Sequence, residues 1–320
     1  MKSILLYAND DPGLESRLQA ALDLVRAFGG HLTCLHATPY QLFISGDPFG
    51  GMYASAAVVE QLGKAEAEQR QRIEARLSRE GVSWDWVQVD GTAAQVVTSR
   101  SSLADLVVLS LPARGDRQES PTGLTADIIV HALGPVLAIP EATNGFAVAG
   151  PALVGWNGSR EAAHALRLAL PMLRLASAVH VATVTEDRAG FPATEASEYL
   201  ARHGIGSELI EMTGDGSGAA DALLGCARTL RASCIVMGAY GHSRLREAVL
   251  GGATRHLLQH SDIPLLLAHL GPRRSGSFGV DPQETVSFAA GTRRPLRRCR
   301  CPRDRETGSG RRRSVSRISA

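Results

Sequence analysis

The sequence has few cysteines, few aromatic residues and no long apolar run. Five cysteines in 320 residues are too few and too scattered for a disulfide scaffold, and their odd number favours free thiols in a reducing compartment. No run reaches the roughly 18 apolar residues of a membrane-spanning helix, and no basic segment with a cleavage site precedes Ile4. We therefore expect a cytoplasmic protein that is neither membrane-spanning nor secreted.

Charge is unevenly distributed along the chain. Residues 271–320 contain 13 Arg against 4 acidic residues, a net charge of +9, whereas residues 1–270 contain 21 basic and 28 acidic residues, a net charge of −7. The last fifty residues also lose the apolar periodicity, which predicts a basic disordered tail. Such a tail would bind nucleic acid only nonspecifically, since it lacks interleaved aromatic residues. A shifted reading frame in a GC-rich gene would produce the same composition.

An internal repeat divides the rest of the chain. Residues 104–110 and 232–238 are similar apolar runs, each followed by a Gly- and Arg-containing stretch, a helical pattern and a second apolar run, at a spacing of 128 or 129 residues. Repeats of this kind indicate one structural unit used twice. We predict domains at 1–140 and 151–270, followed by the tail at 271–320.

Each copy alternates short apolar runs with amphipathic stretches. Runs that are apolar throughout indicate strands covered on both faces, as in a parallel sheet. Their alternation with helices predicts an α/β fold of two tandem, doubly wound, open five-stranded parallel sheets of Rossmann-like type. The predicted strands are 4–8, 31–37, 84–89, 105–110 and 135–139, then 152–155, 179–184, 208–212, 235–238 and 264–268. The predicted helices include 55–80, 123–132, 160–174, 193–203, 219–231 and 252–260.

One segment of the second copy has glycines where a phosphate group could bind. Gly238 and Gly241 come at the end of an apolar strand, and Gly251 and Gly252 precede the next helix. Ligands of open α/β sheets bind at the carboxyl ends of strands, and bare backbone amides at a helix N-terminus suit phosphate. Thr254 adds a possible hydroxyl donor. Glycines also serve turns and helix boundaries, so spacing alone leaves both interpretations open.

This segment resembles the nucleotide signature of the universal stress protein family, which is Gly, two residues, Gly, nine residues, Gly, then Ser or Thr. Gly238, Gly241 and Gly251 fall on the three glycines, and residues 154–159 also match. The resemblance covers both copies and implies an adenine nucleotide alpha hydrolase-like fold and a role in stress response. In nucleotide-binding members it implies ATP or a related adenine nucleotide held by this loop. Mg²⁺ is a further candidate cofactor.

Further site residues follow from this resemblance. By their match to family positions, Asn157, Val184 and Met237 would border the base and ribose. Asn157 stands where nucleotide-binding members have Asp, so an acceptor-only carboxylate is replaced by an amide. Gly252 stands where they have Ser or Thr, which removes a hydroxyl donor and leaves a backbone N–H. Nucleotide binding in the second copy is the leading interpretation.

The first copy departs further from the signature. Ser110 and Ala113 replace the first two glycines, and the loop is one residue shorter before Gly123. Fewer glycines leave fewer positions for the backbone conformations that wrap a triphosphate. We therefore predict that the first copy serves as a scaffold.

Two other functions stay open, and an enzyme is the less favoured reading. A protein of this fold could bind no nucleotide and self-associate through the exposed edge of each last strand. It could instead hydrolyse ATP slowly, but that needs a water-orienting group, and the sequence shows no convincing carboxylate near the loop.

His256 and His260 are one helical turn apart, yet no local carboxylate or thiol completes a metal site.

Overall fold

The computed structural model describes residues 1–40, 52–111, 123–184, 192–212, 218–239 and 252–270. The tail predicted for 271–320 lies outside these ranges. Within them, no helix combines the length and the apolar character needed to cross a membrane.

Strands and helices follow the apolar runs of the sequence. The strands are β1 Ser3–Tyr7, β2 His31–Thr38, β3 Ser83–Asp90, β4 Leu106–Leu111, β5 Val136–Pro140, β6 Ala152–Gly155, β7 Val179–Val184, β8 Glu208–Met212, β9 Cys234–Ala239 and β10 Leu265–His269. The helices are α1 Leu14–Phe28, α2 Met52–Leu77, α3 Ala93–Arg100, α4 Leu124–His131, α5 Arg160–Leu173, α6 Ala193–Arg202, α7 Ala219–Thr229 and α8 Gly252–His260, with a 3₁₀ turn at Ser101–Leu103. Every predicted strand and helix overlaps an observed one, so these predictions are confirmed.

All ten strands belong to one sheet, in the order β3-β2-β1-β4-β5-β10-β9-β6-β7-β8. Neighbours are parallel within β1–β5 and within β6–β10, and the two halves meet through the antiparallel pair β5–β10, with Val136 opposite Leu267. The prediction of two separate sheets is therefore not confirmed. Both last strands are apolar and would otherwise leave unpaired backbone groups at an edge, and their pairing satisfies those groups.

Two apolar layers cover the sheet. Successive residues of a strand point to opposite faces, so Ile4 and Leu6 pack in the layer under α1, α2, α5 and α6. Leu5 and Tyr7 pack in the layer under α3, α4, α7 and α8. Helices on both faces explain why the strands are apolar throughout.

The free edges of the sheet are β3 and β8, and both carry exposed carboxylates. Asp85 and Asp90 lie on β3, and Glu208 and Glu211 lie on β8. Charged side chains on an edge strand disfavour pairing with another strand. The last strands are already paired with each other, so neither of them offers a free edge to a second molecule.

Glu66 anchors α2 to β2 and β3. Its carboxylate accepts hydrogen bonds from the hydroxyls of Thr38 and Tyr40 and from Nε2 of Gln88 at 2.8 Å, and it lies 3.3 Å from Nε2 of His36. Burial raises the pKa of Glu66, but the hydrogen bonds from Thr38, Tyr40 and His36 outweigh it and hold the pKa below the ordinary value.

We expect Glu66→Gln to lower the free energy of unfolding at pH 7 by about 1 to 2 kcal/mol, because an amide cannot accept all of these hydrogen bonds. A carboxyl whose pKa is lowered by folding stabilises the protein above its unfolded pKa and loses that contribution as pH falls through the folded value. The difference between the two proteins in urea unfolding should therefore shrink between pH 6 and about pH 3. A difference that stays constant over this range would contradict the assignment.

Candidate functional site

The second half has a crevice at the carboxyl ends of β6 and β9. From β6 the chain runs outward to β7 and β8 through α5 and α6, which cover one face. It then returns to β9 and β10 through α7 and α8, which cover the other face. The strand order therefore reverses between β6 and β9, which is where open α/β sheets bind ligands.

Asn157 lies at this crevice directly after β6, and it is exposed. Its Oδ1 accepts a hydrogen bond from the N–H of Ser159 at 3.1 Å. The Ser159 hydroxyl in turn caps α5 by accepting from the N–H of Ala162 at 3.1 Å. The Asn157 amide nitrogen makes no hydrogen bond to another described residue, so it can donate to a ligand.

Gly238 lies in β9, beneath the first turn of α5. A Cβ built on it would lie 2.4 Å from the carbonyl carbon of Glu161 and 2.5 Å from the backbone nitrogen of Ala162. No side chain fits at these distances unless the helix moves. Glycine is required here by helix packing, so Gly238 does not distinguish a phosphate-binding loop from a structural one.

Gly252 has no such packing role. It is exposed, it begins α8, and a Cβ built on it meets no atom of a described residue within 4 Å. Any residue could stand here as far as packing is concerned, and the helix N-terminus leaves the backbone N–H free to bind an anion. Thr254 is only 4% exposed, so its side chain lies inside the protein and not on the open surface.

Met237 and Val184 flank the floor of the crevice. Met237 is 8% exposed, packs in the layer under α7 and α8, and its Cβ lies 3.7 Å from a Cβ built on Gly155. Val184 ends β7 opposite Met212 and is half-buried. Their contact with a base or ribose stays a prediction. Two other candidates, Gly241 and Gly251, lie outside the described residues.

In the first half, the equivalent crevice at the carboxyl ends of β1 and β4 is filled by Arg17, which is 1% exposed. Its Nε donates to the carbonyl of Tyr7 at 2.6 Å. Its terminal nitrogens donate to the carbonyl of Asn9, the carboxylate of Asp11 and, at 3.0 Å, the hydroxyl of Ser110. The polar groups of this crevice therefore bind one another.

Helix α5 of the second half carries no arginine at the position that Arg17 has in α1. The alignment that matches Asn9 with Asn157 places Ala165 at the position of Arg17. Ala165 is buried and has no polar side-chain group. The β6–β9 crevice is therefore not closed by an arginine from α5.

In each half, one glycine allows the first helix to pack closely against the fourth strand of that half. In the second half the glycine is Gly238 on the strand, against Glu161. In the first half it is Gly13 at the start of the helix, where an added Cβ would lie 2.3 Å from Oγ of Ser110. Ser110 can replace glycine because Gly13 makes room, and its hydroxyl donates to the Gly13 carbonyl at 3.0 Å.

Sequence reasoning missed a cavity and a side-chain pair. The cavity measures about 390 Å³ and lies between α5 and α6, lined in part by Trp156, Leu166 and Tyr199. The pair is Asp221 on α7 and His256 on α8, which come within 2.8 Å of each other. Residues 35 positions apart on separate helices give no local signal, so the sequence could not predict this pair. The loop to which the expectation about carboxylates refers lies outside the described residues.

The buried thiols of the described residues offer no nucleophile. Cys34, Cys226 and Cys234 are free, and burial raises the pKa of Cys34 and of Cys234 to about 12. These two groups stay protonated at neutral pH and act as small apolar residues. Among the described side chains, no three His, Cys, Asp or Glu are placed to hold a metal ion together.

Comparisons with known proteins agree with this fold. Residues 150–269 match the Universal stress protein family, so the second half is a universal stress protein domain. No curated protein sequence matches the chain.

Solved structures extend the likeness to both halves. A universal stress protein from Archaeoglobus fulgidus DSM 4304 aligns with a TM-score of 0.62 and 15% identity over 84% of this chain and 98% of its own. A candidate universal stress protein from Pseudomonas aeruginosa UCBPP-PA14 aligns with a TM-score of 0.54 and 20% identity over 84% and 93%. At these identities the likeness shows the fold alone.

Proposed function

We propose that this chain is a cytoplasmic stress-response protein that binds one adenine nucleotide, ATP or a relative, at the β6–β9 crevice. The family match at 150–269 supports the stress-response role. The first half would then be a second universal stress protein-like domain that serves as a scaffold. It contributes β5 to the shared sheet and keeps its own crevice closed with Arg17.

The contrast between the two crevices is the observation that carries the proposal. They occupy equivalent places, and among the described residues only the first contains a guanidinium with four internal hydrogen bonds. In the second, the side chain of Asn157 is exposed and a Cβ built on Gly252 meets no described atom within 4 Å. An amide donor and helix N-terminal N–H groups suit ribose or phosphate oxygens. Mg²⁺ would bind together with the phosphate groups of the nucleotide.

Self-association through the last strands, without nucleotide, is less well supported. β5 and β10 are paired within the chain, and the remaining edges carry carboxylates. Sedimentation at several concentrations, with and without ATP, separates the alternatives. A dimer that forms equally without nucleotide would favour the interaction module.

Calorimetric titration of ATP into the full chain tests the proposal, and Gly252→Val is the decisive variant. Its side chain has space in the protein but would cover the amides that the phosphates need. We expect affinity to fall about 10-fold or more, which corresponds to the loss of one hydrogen bond to a charged group.

Gly123→Val is the matched control, because Gly123 precedes α4 in the first half and also has no atom within 4 Å of an added Cβ. Its titration should equal that of the parent protein. Equal affinity in all three proteins, or no heat at millimolar ATP, would reject the proposed site.

A further inference from the structure

A cavity separates α5 from α6 on the face of the sheet that these two helices cover. It measures about 390 Å³, and its lining includes the buried side chains of Trp156, Leu166 and Ala196. Small-molecule sites usually measure about 300 to 1,000 Å³ and combine an apolar lining with a few polar groups. The cavity therefore has the size and the apolar floor of a small-molecule site.

Charged side chains of both signs line this cavity from its two helices. Arg167 lies on α5, and Glu195 lies in the first turn of α6. Both residues are exposed, and neither side chain makes an ion pair or a hydrogen bond with another described residue. The remaining charges of the lining, Glu198 and Arg202, pair with each other at 3.4 Å. A ligand in the cavity would therefore meet one unpaired positive group and one unpaired negative group.

The first half bridges the corresponding space between α1 and α2. At the spacing of 148 residues that relates the first helices of the two halves, Glu15 corresponds to Ala163 and Gln19 corresponds to Arg167. Arg76 of α2 donates to the carboxylate of Glu15 and, at 2.7 Å, to Oε1 of Gln19. Ala163 has no side-chain acceptor and Arg167 is itself a donor, so α5 cannot accept such a bridge.

Aromatic side chains also line the cavity. Tyr199 on α6 is half-buried, and its ring meets the ring of His203 edge-on, with 4.7 Å between the centroids. Trp156 contributes a second aromatic side chain from the end of β6. Pairs of aromatic rings gain more than their buried area alone implies, so this lining favours an aromatic ligand.

We propose that this cavity binds a small zwitterion with an aromatic side chain, of the chemical class of the aromatic amino acids. The carboxylate of the ligand pairs with Arg167, its ammonium group pairs with Glu195, and its ring packs against Trp156 and Leu166. The lining carries two arginines and two glutamates, and this balance disfavours a polyanion. The cavity is therefore a site for a different ligand class, and binding there is independent of the proposed nucleotide site.

Tryptophan fluorescence of the full chain tests this assignment, with L-phenylalanine as the probe. Trp156 lines the cavity, whereas Trp84 and Trp86 lie on β3 of the first half. We expect the emission to change and to saturate at millimolar phenylalanine. The analogue 3-phenylpropionate lacks the ammonium group, and phenethylamine lacks the carboxylate. Each should bind about fivefold more weakly, which corresponds to the loss of one solvent-exposed charge pair.

Variants of the lining assign the binding to this cavity. Arg167→Gln and Glu195→Gln should each weaken phenylalanine binding about fivefold. Arg167→Gln should leave the affinity for phenethylamine unchanged, because this amine has no carboxylate. Ala163→Leu should remove the binding, since the larger side chain fills the cavity. Arg255→Gln is the matched control and should bind as the parent does, because Arg255 is an exposed arginine of α8, on the other face of the sheet.

A parent protein whose fluorescence shows no saturable change with phenylalanine would overturn the assignment. Equal affinity for the three probes would also overturn it, because the two charges would then play no part. The same holds if Arg167→Gln and Ala163→Leu bind phenylalanine as the parent does, or if Arg255→Gln weakens binding as much as Arg167→Gln. Each of these results would leave the proposed nucleotide site standing.

Discussion

Arg17→Met should destabilise the full chain by about 3 kcal/mol in urea or thermal unfolding. Methionine keeps the buried apolar stem but provides none of the hydrogen bonds that the guanidinium gives to Tyr7, Asn9, Asp11 and Ser110. Two backbone carbonyls lose these donors inside the protein. The 39% exposure of Asp11 lets its carboxylate be hydrated, which keeps the loss below that of a fully buried charge.

Arg72→Met is the control for this result. Arg72 pairs with Asp10 at 2.9 Å, but both side chains are more than 60% exposed. Exposed ion pairs contribute less than about 1 kcal/mol, so this variant should unfold close to the parent. If the two variants lose similar amounts, Arg17 does not close the first crevice as described.

Gly238→Ala should also destabilise the protein by about 3 kcal/mol, the upper part of the range for overpacked cores. The added methyl would lie 2.4 to 2.7 Å from backbone atoms of Glu161 and Ala162. A backbone cannot rotate away as the end of a side chain can, so α5 has to shift from β9. Thermal unfolding of the full chain measures the loss.

We expect the opposite effect on stability for Gly225→Ala, in the same half of the chain. Gly225 lies in α7, where an added Cβ meets nothing within 4 Å, so alanine should stabilise the helix by about 0.5 to 1 kcal/mol. A Gly238→Ala protein as stable as the parent would show that the close contact with α5 does not constrain this position. Glycine would then be needed there for another reason.

Apolar runs were sufficient to predict the strands, because each strand is covered on both faces. β6, β7 and β8 have the predicted bounds 152–155, 179–184 and 208–212. The repeat likewise predicted five strands in each half. The antiparallel pairing of β5 with β10 could not be predicted, since an apolar last strand looks the same whether it is an edge or an interior neighbour.

The candidate site was predictable only in part. The glycine spacing pointed to the carboxyl edge of the sheet at β9, but spacing could not show that Gly238 serves helix packing while Gly252 does not. Arg17 looks like an ordinary charged position of an amphipathic helix, and its burial depends on the carbonyls that end β1. Asp221 reaches His256 only because α7 and α8 pack side by side.

The number of ATP molecules bound per full chain tests the central claim most directly. The calorimetric titration should give one molecule per chain, because Arg17 occupies the first crevice and no described residue of the second half takes the place of this arginine. That single binding event should weaken in Gly252→Val and persist in Gly123→Val. Two equivalent molecules per chain, or one that Gly123→Val abolishes while Gly252→Val leaves it intact, would contradict the account.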